Sequence, residues 1–267
     1  MAFVTSVLSW FIRQRLHQIE LFMKYPCDVQ NDWLTKLLKA AANTEYGQLY
    51  DFKSIQSVND FQQRIPLNTY DTLKPYIDRL RTGEQNILWP SDIKWFAKSS
   101  GTTAGKSKFI PVSPESLKEC HYQAGKDMFA IYLENHPDSK IFEGFNLAMG
   151  GSHHICEINS EAYYGDVSAI LIQNLPFWAE YWRTPNLDIA LMDKWEEKIE
   201  KMAHATIEKN VTAISGVPSW TLLLLNRILE ITNKTDIHDV WPNLEVFFHG
   251  GVSFSPYRKQ FENLIPS

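Results

Sequence analysis

The chain has 267 residues, 44% apolar and 21% charged, with 15 Phe, 11 Tyr and 9 Trp. This is globular composition, sufficient for one large domain or two small ones, and it excludes a disordered or collagen-like chain. The net charge of −5 gives no electrostatic footprint for a nucleic-acid partner.

Three cysteines at unrelated spacings, Cys27, Cys120 and Cys156, suit reduced thiols in the cytoplasm rather than a disulfide framework. Residues 4–12 are apolar, but Arg13 and Arg15 follow them, the wrong side for a secretory signal. Apolar runs such as residues 222–225 fall far short of the ~20 residues that span a bilayer. The expected location is cytoplasmic, with no membrane and no nucleic acid among the partners.

The first fifty residues read as helix. Leu8, Phe11, Ile12, Leu16 and Ile19 share one face at three- and four-residue spacing, and Leu34, Leu37, Leu38 and Ala41 repeat the pattern before Gly47. The spacing predicts an N-terminal helical hairpin, within a segment 1–65 packed on the core. Its polar face is not basic enough for a membrane surface. Further on, Asn68 or Thr69 can cap a helix through Leu73, Tyr76, Ile77 and Leu80. Residues 93–97 read as a short strand that stops at a run of small hydroxyl and glycine residues. Ser113 and Pro114 supply an N-cap and a first-turn proline for a long helix carrying Leu117, Cys120, Ala124, Met128 and Ile131.

Strands at 145–149, 168–172, 211–214 and 244–248 then alternate with helices at 191–207 and 219–231, and Pro256 opens a further helix. Alternation of this kind predicts an α/β fold of largely parallel sheets flanked by helices, with residues 66–267 as its ligand-binding region. Ligands in such sheets bind beyond the carboxyl ends of the strands. Three of those ends carry glycine, at Gly150-Gly151, Gly216 and Gly250-Gly251. Residues 263–267 end in mid-pattern, which would leave an open sheet edge, so the sequence reads as the front portion of a longer polypeptide.

The stretch Ser99-Ser100-Gly101-Thr102-Thr103-Ala104-Gly105-Lys106-Ser107-Lys108 has the ingredients of a phosphate cradle. Glycines let backbone N–H groups converge on an anion, hydroxyls add donors and lysines offset charge. The plainer reading is a surface loop rich in small residues. The stretch is not a P-loop, since three residues rather than four separate Gly101 from Gly105-Lys106-Ser107, and the chain lacks the dinucleotide fingerprint G-x-G-x-x-G.

What it resembles is the signature loop of adenylate-forming enzymes. The wording Ser99-Ser100-Gly101-Thr102-Thr103 with Lys108-Phe109-Ile110-Pro111 is similar to that of the auxin-responsive acyl-acid amido synthetases of plants and bacteria, in a bacterial-type form. The likeness extends to residues 37–47, to Ile65-Pro66-Leu67 with Tyr70 and Lys74-Pro75-Tyr76-Ile77, and to Gly216-Val217-Pro218-Ser219-Trp220, Trp241-Pro242-Asn243-Leu244 and His249-Gly250-Gly251-Val252-Ser253-Phe254.

The resemblance implies the N-terminal domain of an adenylate-forming enzyme, with ATP and Mg2+ as cofactors. It implies that a small carboxylic acid is adenylated and then joined to an amino acid, the amine acceptor. It places Ser99, Ser100, Gly101, Thr102, Thr103 and Lys108 on the ATP phosphates, with Ser100, Thr103 and Lys108 catalytic. Gly250, Gly251, Val252 and Ser253 would line adenine and ribose, and Val217, Pro218 and Trp220 the acyl pocket. On spacing alone, Gly250-Gly251 reads equally as a tight strand exit, and Trp220 as core.

His153-His154 with Cys156 and Glu157 lacks a second cluster at zinc-type spacing, so no protein metal site is assigned. The family's ribose-holding acidic residue and its closing C-terminal domain would lie after residue 267. The chain alone is therefore expected to be inactive or nearly so. The alternative is a non-catalytic nucleotide- or carboxylate-binding protein.

Overall fold

Short apolar runs form eight strands among the residues that the computed structural model describes, which are 7, 10–99, 107–150, 156–159 and 162–266. They are β1 (Trp95–Lys98), β2 (Phe109–Val112), β3 (Phe145–Ala148), β4 (Cys156–Asn159), β5 (Ala162–Gly165), β6 (Arg183–Thr184), β7 (Val211–Gly216) and β8 (Val246–His249). The chain divides into two units, each with one four-stranded sheet.

One unit comprises Ile12–Ile131 and Ile155–Ile170. Its sheet runs β2-β1-β5-β4, with β1 and β5 parallel and the outer pairs antiparallel. The helix Tyr70–Arg81 starts where the sequence predicts. Thr69 caps it, accepting from Thr72 N, while the Thr72 hydroxyl accepts from Thr69 N. Its buried Ile77 and Leu80 pack with Ile93, Phe96 and Ala162 into the unit's core.

The predicted N-terminal hairpin takes another form. Helices Arg15–Lys24 and Pro26–Ala41 follow one another through Tyr25 alone, too short a joint for a helical hairpin loop. Pro26 sets the break, because a residue before proline is pushed out of helical backbone, and Tyr25 has φ −132° and ψ 53°. The long helix predicted after Pro114 begins as a π-helical segment, Ser116–His121, before Tyr122–Asn135. The Ser113 hydroxyl accepts from Ser116 N at 3.0 Å, as an N-cap does.

The other unit comprises Met1–Phe11, Tyr132–His154 and Leu171–Ser267. Its sheet, β6-β3-β7-β8, is parallel throughout. In β7, Val211, Thr212, Ala213 and Ile214 are all buried, the pattern of a strand covered on both faces. The helices Trp195–Thr206 and Pro218–Thr232 close on it through Met202, Ala203, Leu224, Leu225 and Ile228. Trp241 is fully buried beside them and donates from Nε1 to the Thr206 carbonyl at 3.0 Å.

The α/β class with largely parallel, helix-flanked sheets is therefore the observed one. One predicted strand is wrong. Residues 168–172 lie in a helix, Val167–Gln173, which turns in with Ile170 N donating to Asp166 O at 3.1 Å. A short apolar run has no periodicity to separate strand from buried helix. The strand pair lies just before it, in β4 and β5. No helix among the described residues is long and apolar enough to cross a membrane.

Candidate active site

The signature stretch is the loop of a β-hairpin. β1 and β2 pair antiparallel with Lys98 opposite Phe109. Beyond that pair, Ser99 N donates to the Lys108 carbonyl at 2.9 Å, and Lys108 N donates to the Ser99 hydroxyl at 3.0 Å. Ser99 and Lys108 therefore form the neck of the loop. Ser100, Gly101, Thr102 and Thr103, with residues 104–106, lie outside the described residues.

Below the neck is an aromatic floor. The Tyr70 hydroxyl accepts from Phe109 N at 3.0 Å, and the Lys108 ammonium lies 5.6 Å over the Tyr70 ring. Phe109 meets Tyr164 edge-on at 5.2 Å. Arg81 lies 3.9 Å over Phe109 and Lys98 lies 5.5 Å over Tyr164. A cation on a ring face is attracted by the ring's electrons, and Arg81 also pairs with the Asp78 carboxylate at 3.3 Å. Sequence reading did not find Arg81 or Lys98, because their positions follow from the β1–β2–β5 pairing.

In the other unit, parallel register aligns the three glycine-bearing strand ends. Ala148 is level with Ser215, and Met149 N donates to Ser215 O at 2.8 Å, while Gly216 is level with His249. The ends of β3, β7 and β8 thus lie side by side at the edge of the sheet where α/β folds bind ligands. Gly251 has φ +81°, and a Cβ there would lie 3.3 Å from the Val217 Cγ2. Gly251 of the expected adenine wall and Val217 of the expected acyl wall are therefore close neighbours, with room for little more than a glycine between them. At Gly216 a Cβ would come within 2.9 Å of the Thr221 hydroxyl and 3.0 Å of the Met149 Cβ, so the strand can leave the sheet there only as glycine.

Val217 precedes the helix Pro218–Thr232, whose first residue is the buried Pro218. Trp220 is half-buried and lies 5.2 Å from Trp195. Val252 and Ser253 are exposed. Behind the end of β3, the fully buried Lys198 donates from Nζ to the Gly150 carbonyl at 3.0 Å. Burial lowers its pKa to about 8, with the Asp193 carboxylate pulling the other way. The sequence offered no signal for Lys198, which sits in an otherwise ordinary amphipathic helix.

The structure thus joins Val217, Pro218 and Trp220 to Gly250, Gly251, Val252 and Ser253 within one unit, and Ser99 to Lys108 within the other. Among the described residues no group of three or more His, Cys, Asp or Glu could hold a metal ion, and His153 and His154 lie outside them.

Comparison with known proteins agrees with the wording of the loop. The pattern of the GH3 family N-terminal domain matches residues 15–267. The jasmonoyl–L-amino acid synthetase JAR6 of Nicotiana attenuata is 33% identical over 123 residues, 46% of this chain and 21% of that protein. The indole-3-acetic acid-amido synthetase GH3.2 of Arabidopsis thaliana is 36% identical over 100 residues, 37% of this chain and 18% of that protein. Among solved structures, the GH3.15 acyl acid amido synthetase shares the fold with a TM-score of 0.74 at 15% identity, over 94% of this chain and 53% of that one. The chain thus matches about a fifth of the length of those curated relatives and about half of that structure. With the family pattern running through nearly all of its residues, the chain belongs to the GH3 family, the acyl-acid amido synthetases that its sequence resembles.

Proposed function

We propose that this chain carries the nucleotide- and acyl-binding part of an ATP-dependent acyl-acid amido synthetase. The observation that carries the reading is the hairpin neck, where Ser99 and Lys108 are hydrogen-bonded and the Lys108 ammonium lies over Tyr70, at the two ends of the glycine- and hydroxyl-rich stretch of the sequence. In the first step an oxygen of the carboxylate attacks the α-phosphorus of ATP and pyrophosphate leaves, giving an acyl-adenylate. In the second the amine of an amino acid attacks the acyl carbon, AMP leaves and an amide forms with loss of the amine's proton.

The chain's residues would act by aiming donors at charge that develops on phosphate oxygens. Ser100, Thr102 and Thr103 would supply hydroxyls, the glycine-rich backbone N–H groups, and Lys108 a cation at the neck. Gly250, Gly251, Val252 and Ser253 would take adenine and ribose, where glycine lets a flat base lie against the backbone. Val217, Pro218 and Trp220 would wall the acyl group. Mg2+ keeps much of its water shell and binds largely through substrate phosphates, so it would enter with the nucleotide, and no protein ligand is named for it. The acid class would be a small carboxylic acid, in keeping with relatives named for jasmonoyl and indole-3-acetic acid conjugation and a neighbouring structure that holds 2,4-DB.

The test is carboxylate-dependent exchange of labelled pyrophosphate into ATP by a complete polypeptide that carries this segment, with a panel of aryl and alkyl acids. Exchange that Ser100→Ala and Lys108→Ala each reduce at least about a hundredfold is the expected result for loss of an aimed donor. Exchange untouched by both would overturn the loop assignment. ATP binding without exchange would instead mark a nucleotide- and carboxylate-binding protein.

A further inference from the structure

A fully buried lysine stands behind the end of β3, and neither step of the proposed reaction uses it. The ladder between β3 and β7 ends with Met149 N donating to Ser215 O at 2.8 Å. One residue on, the carbonyl of the buried Gly150 accepts from the Lys198 ammonium at 3.0 Å. The same ammonium lies 5.9 Å over the ring of Trp195, and Trp195 lies 5.2 Å from Trp220. Lys198 is thus joined both to the exit of β3 and to the tryptophan pair that ends in Trp220. The exits of β3 and β7 also bear on each other, since a Cβ on Gly216 would come within 3.0 Å of the Met149 Cβ, one residue before Val217. All of these residues belong to one unit.

The position is an unfavourable one for a cation. Burial removes the ammonium from water, and a single neutral carbonyl offsets only part of that cost. The residue also lies near the N-terminus of the helix Trp195–Thr206, where the helix dipole favours Glu196 and Glu197 over a lysine. The Asp193 carboxylate is a charge that favours the protonated form. A methionine would fill a similar volume without a buried charge. What the lysine adds is direction, because a charged donor fixes the carbonyl it bonds and the ring it lies on, which an apolar side chain does not.

We propose that Lys198 is a positioning residue for the acyl pocket, holding the exit of β3 through the Gly150 carbonyl and Trp220 through Trp195. The inference rests on the acyl-pocket reading above and adds to it a residue that does not meet the substrate. A wall held in this way selects acids by the shape of the acyl group. When the wall moves, the acid loses contacts, while ATP, held at other residues, is little affected.

The experiment measures the maximal rate and the KM values for ATP and for the most active acid of the panel in pyrophosphate exchange. It uses a complete polypeptide that carries this segment, as wild type, Lys198→Met, Lys198→Arg and Trp195→Phe, with far-UV circular dichroism to confirm folding. Lys198→Met should raise the acid KM about tenfold, through a misplaced wall, and leave the ATP KM within about twofold and the maximal rate within about threefold. Lys198→Arg keeps a charged donor and should recover most of the acid affinity. Trp195→Phe should also raise the acid KM, and adding Lys198→Met to it should change little more, as for two residues that act through one wall. A lysine with a merely structural role would lower the maximal rate, through less active protein, with both KM values unchanged, and that result would overturn the proposal. So would an equal rise in both KM values, or an acid KM that neither substitution moves; exchange by the wild type then leaves the functional reading standing. If Lys198→Met does not fold, Trp195→Phe alone decides between the same outcomes. Wild-type polypeptide that is folded and supports no exchange overturns both.

Discussion

Lys198 shows how much a single residue can depend on its surroundings. It is fully buried, its ammonium on the Gly150 carbonyl, and burial brings its pKa down from 10.5 to about 8. Below pH 8 the folded and unfolded chains both hold the proton, and the full cost of burying the charge is present. Between about 8 and 10.5 the unfolded chain still holds a proton that the folded chain has released, so this group makes stability rise with pH. Lys198→Met should therefore be more stable than wild type at pH 7, on the order of 2 kcal/mol, and the difference should shrink as pH rises from 8 to 10.5. Urea unfolding of both proteins across that range checks it, and a constant difference would count against a titrating Lys198. Nothing in the local sequence announces this residue. Glu196, Glu197, Lys201 and Lys198 look alike along the helix, and only the packing of that helix on the sheet buries one of them. The glycine- and hydroxyl-rich stretch from Ser99 to Lys108 could be singled out in the sequence because its residue types are contiguous.

At the scale of elements, the glycines after β8 separate a conformational need from a spatial one. Gly251 is left-handed at φ +81° and close to Val217, whereas Gly250 has no positive φ and no described atom within 4 Å of its Cβ position. Gly251→Ala should cost roughly 1–2 kcal/mol, and Gly250→Ala should stay within about 0.5 kcal/mol. Urea midpoints of the two variants without nucleotide decide it, and equal losses would contradict the assigned backbone. Legibility varied for local reasons. The caps at Thr69 and Ser113 and the strand ends at 148–150, 216 and 249–251 were readable because a cap or a turn is made by neighbours in sequence. β2 was not recognised, since Pro111 argues against a strand; it is tolerated because β2 is an edge strand, where proline is permitted. The 168–172 run was misread because four apolar residues in a row have no period.

For the whole molecule, ligand linkage gives the broadest check. If ATP binds the folded chain alone, ATP at about a hundred times its Kd should stabilise by ~2.7 kcal/mol and raise the thermal midpoint by roughly 5–10 °C. Scanning calorimetry with ATP, and with sodium sulfate at matched ionic strength, separates binding from a salt effect. A midpoint that sulfate moves as far as ATP would remove the nucleotide from the functional reading. The net charge of −5 argues against a general attraction for polyanions, so a specific response would point to a local site. The loop neck belongs to β1 and β2 of one unit and the glycine-bearing strand ends to β3, β7 and β8 of the other.

By itself the sequence determined the family, the α/β class, the helix caps, and the residue types at the loop and strand ends. These depend on identities read along the chain. Only the tertiary structure decided that Arg81 lies over Phe109, Lys98 over Tyr164 and Lys108 over Tyr70, that Ala148, Ser215 and Phe248 lie level with one another, and that Lys198 is buried. Those features are set by strand register and helix packing between segments tens of residues apart. The hydrophobic pattern fixes which face of a strand is buried, but which strand lies beside it is settled by the packing of the complete sheet.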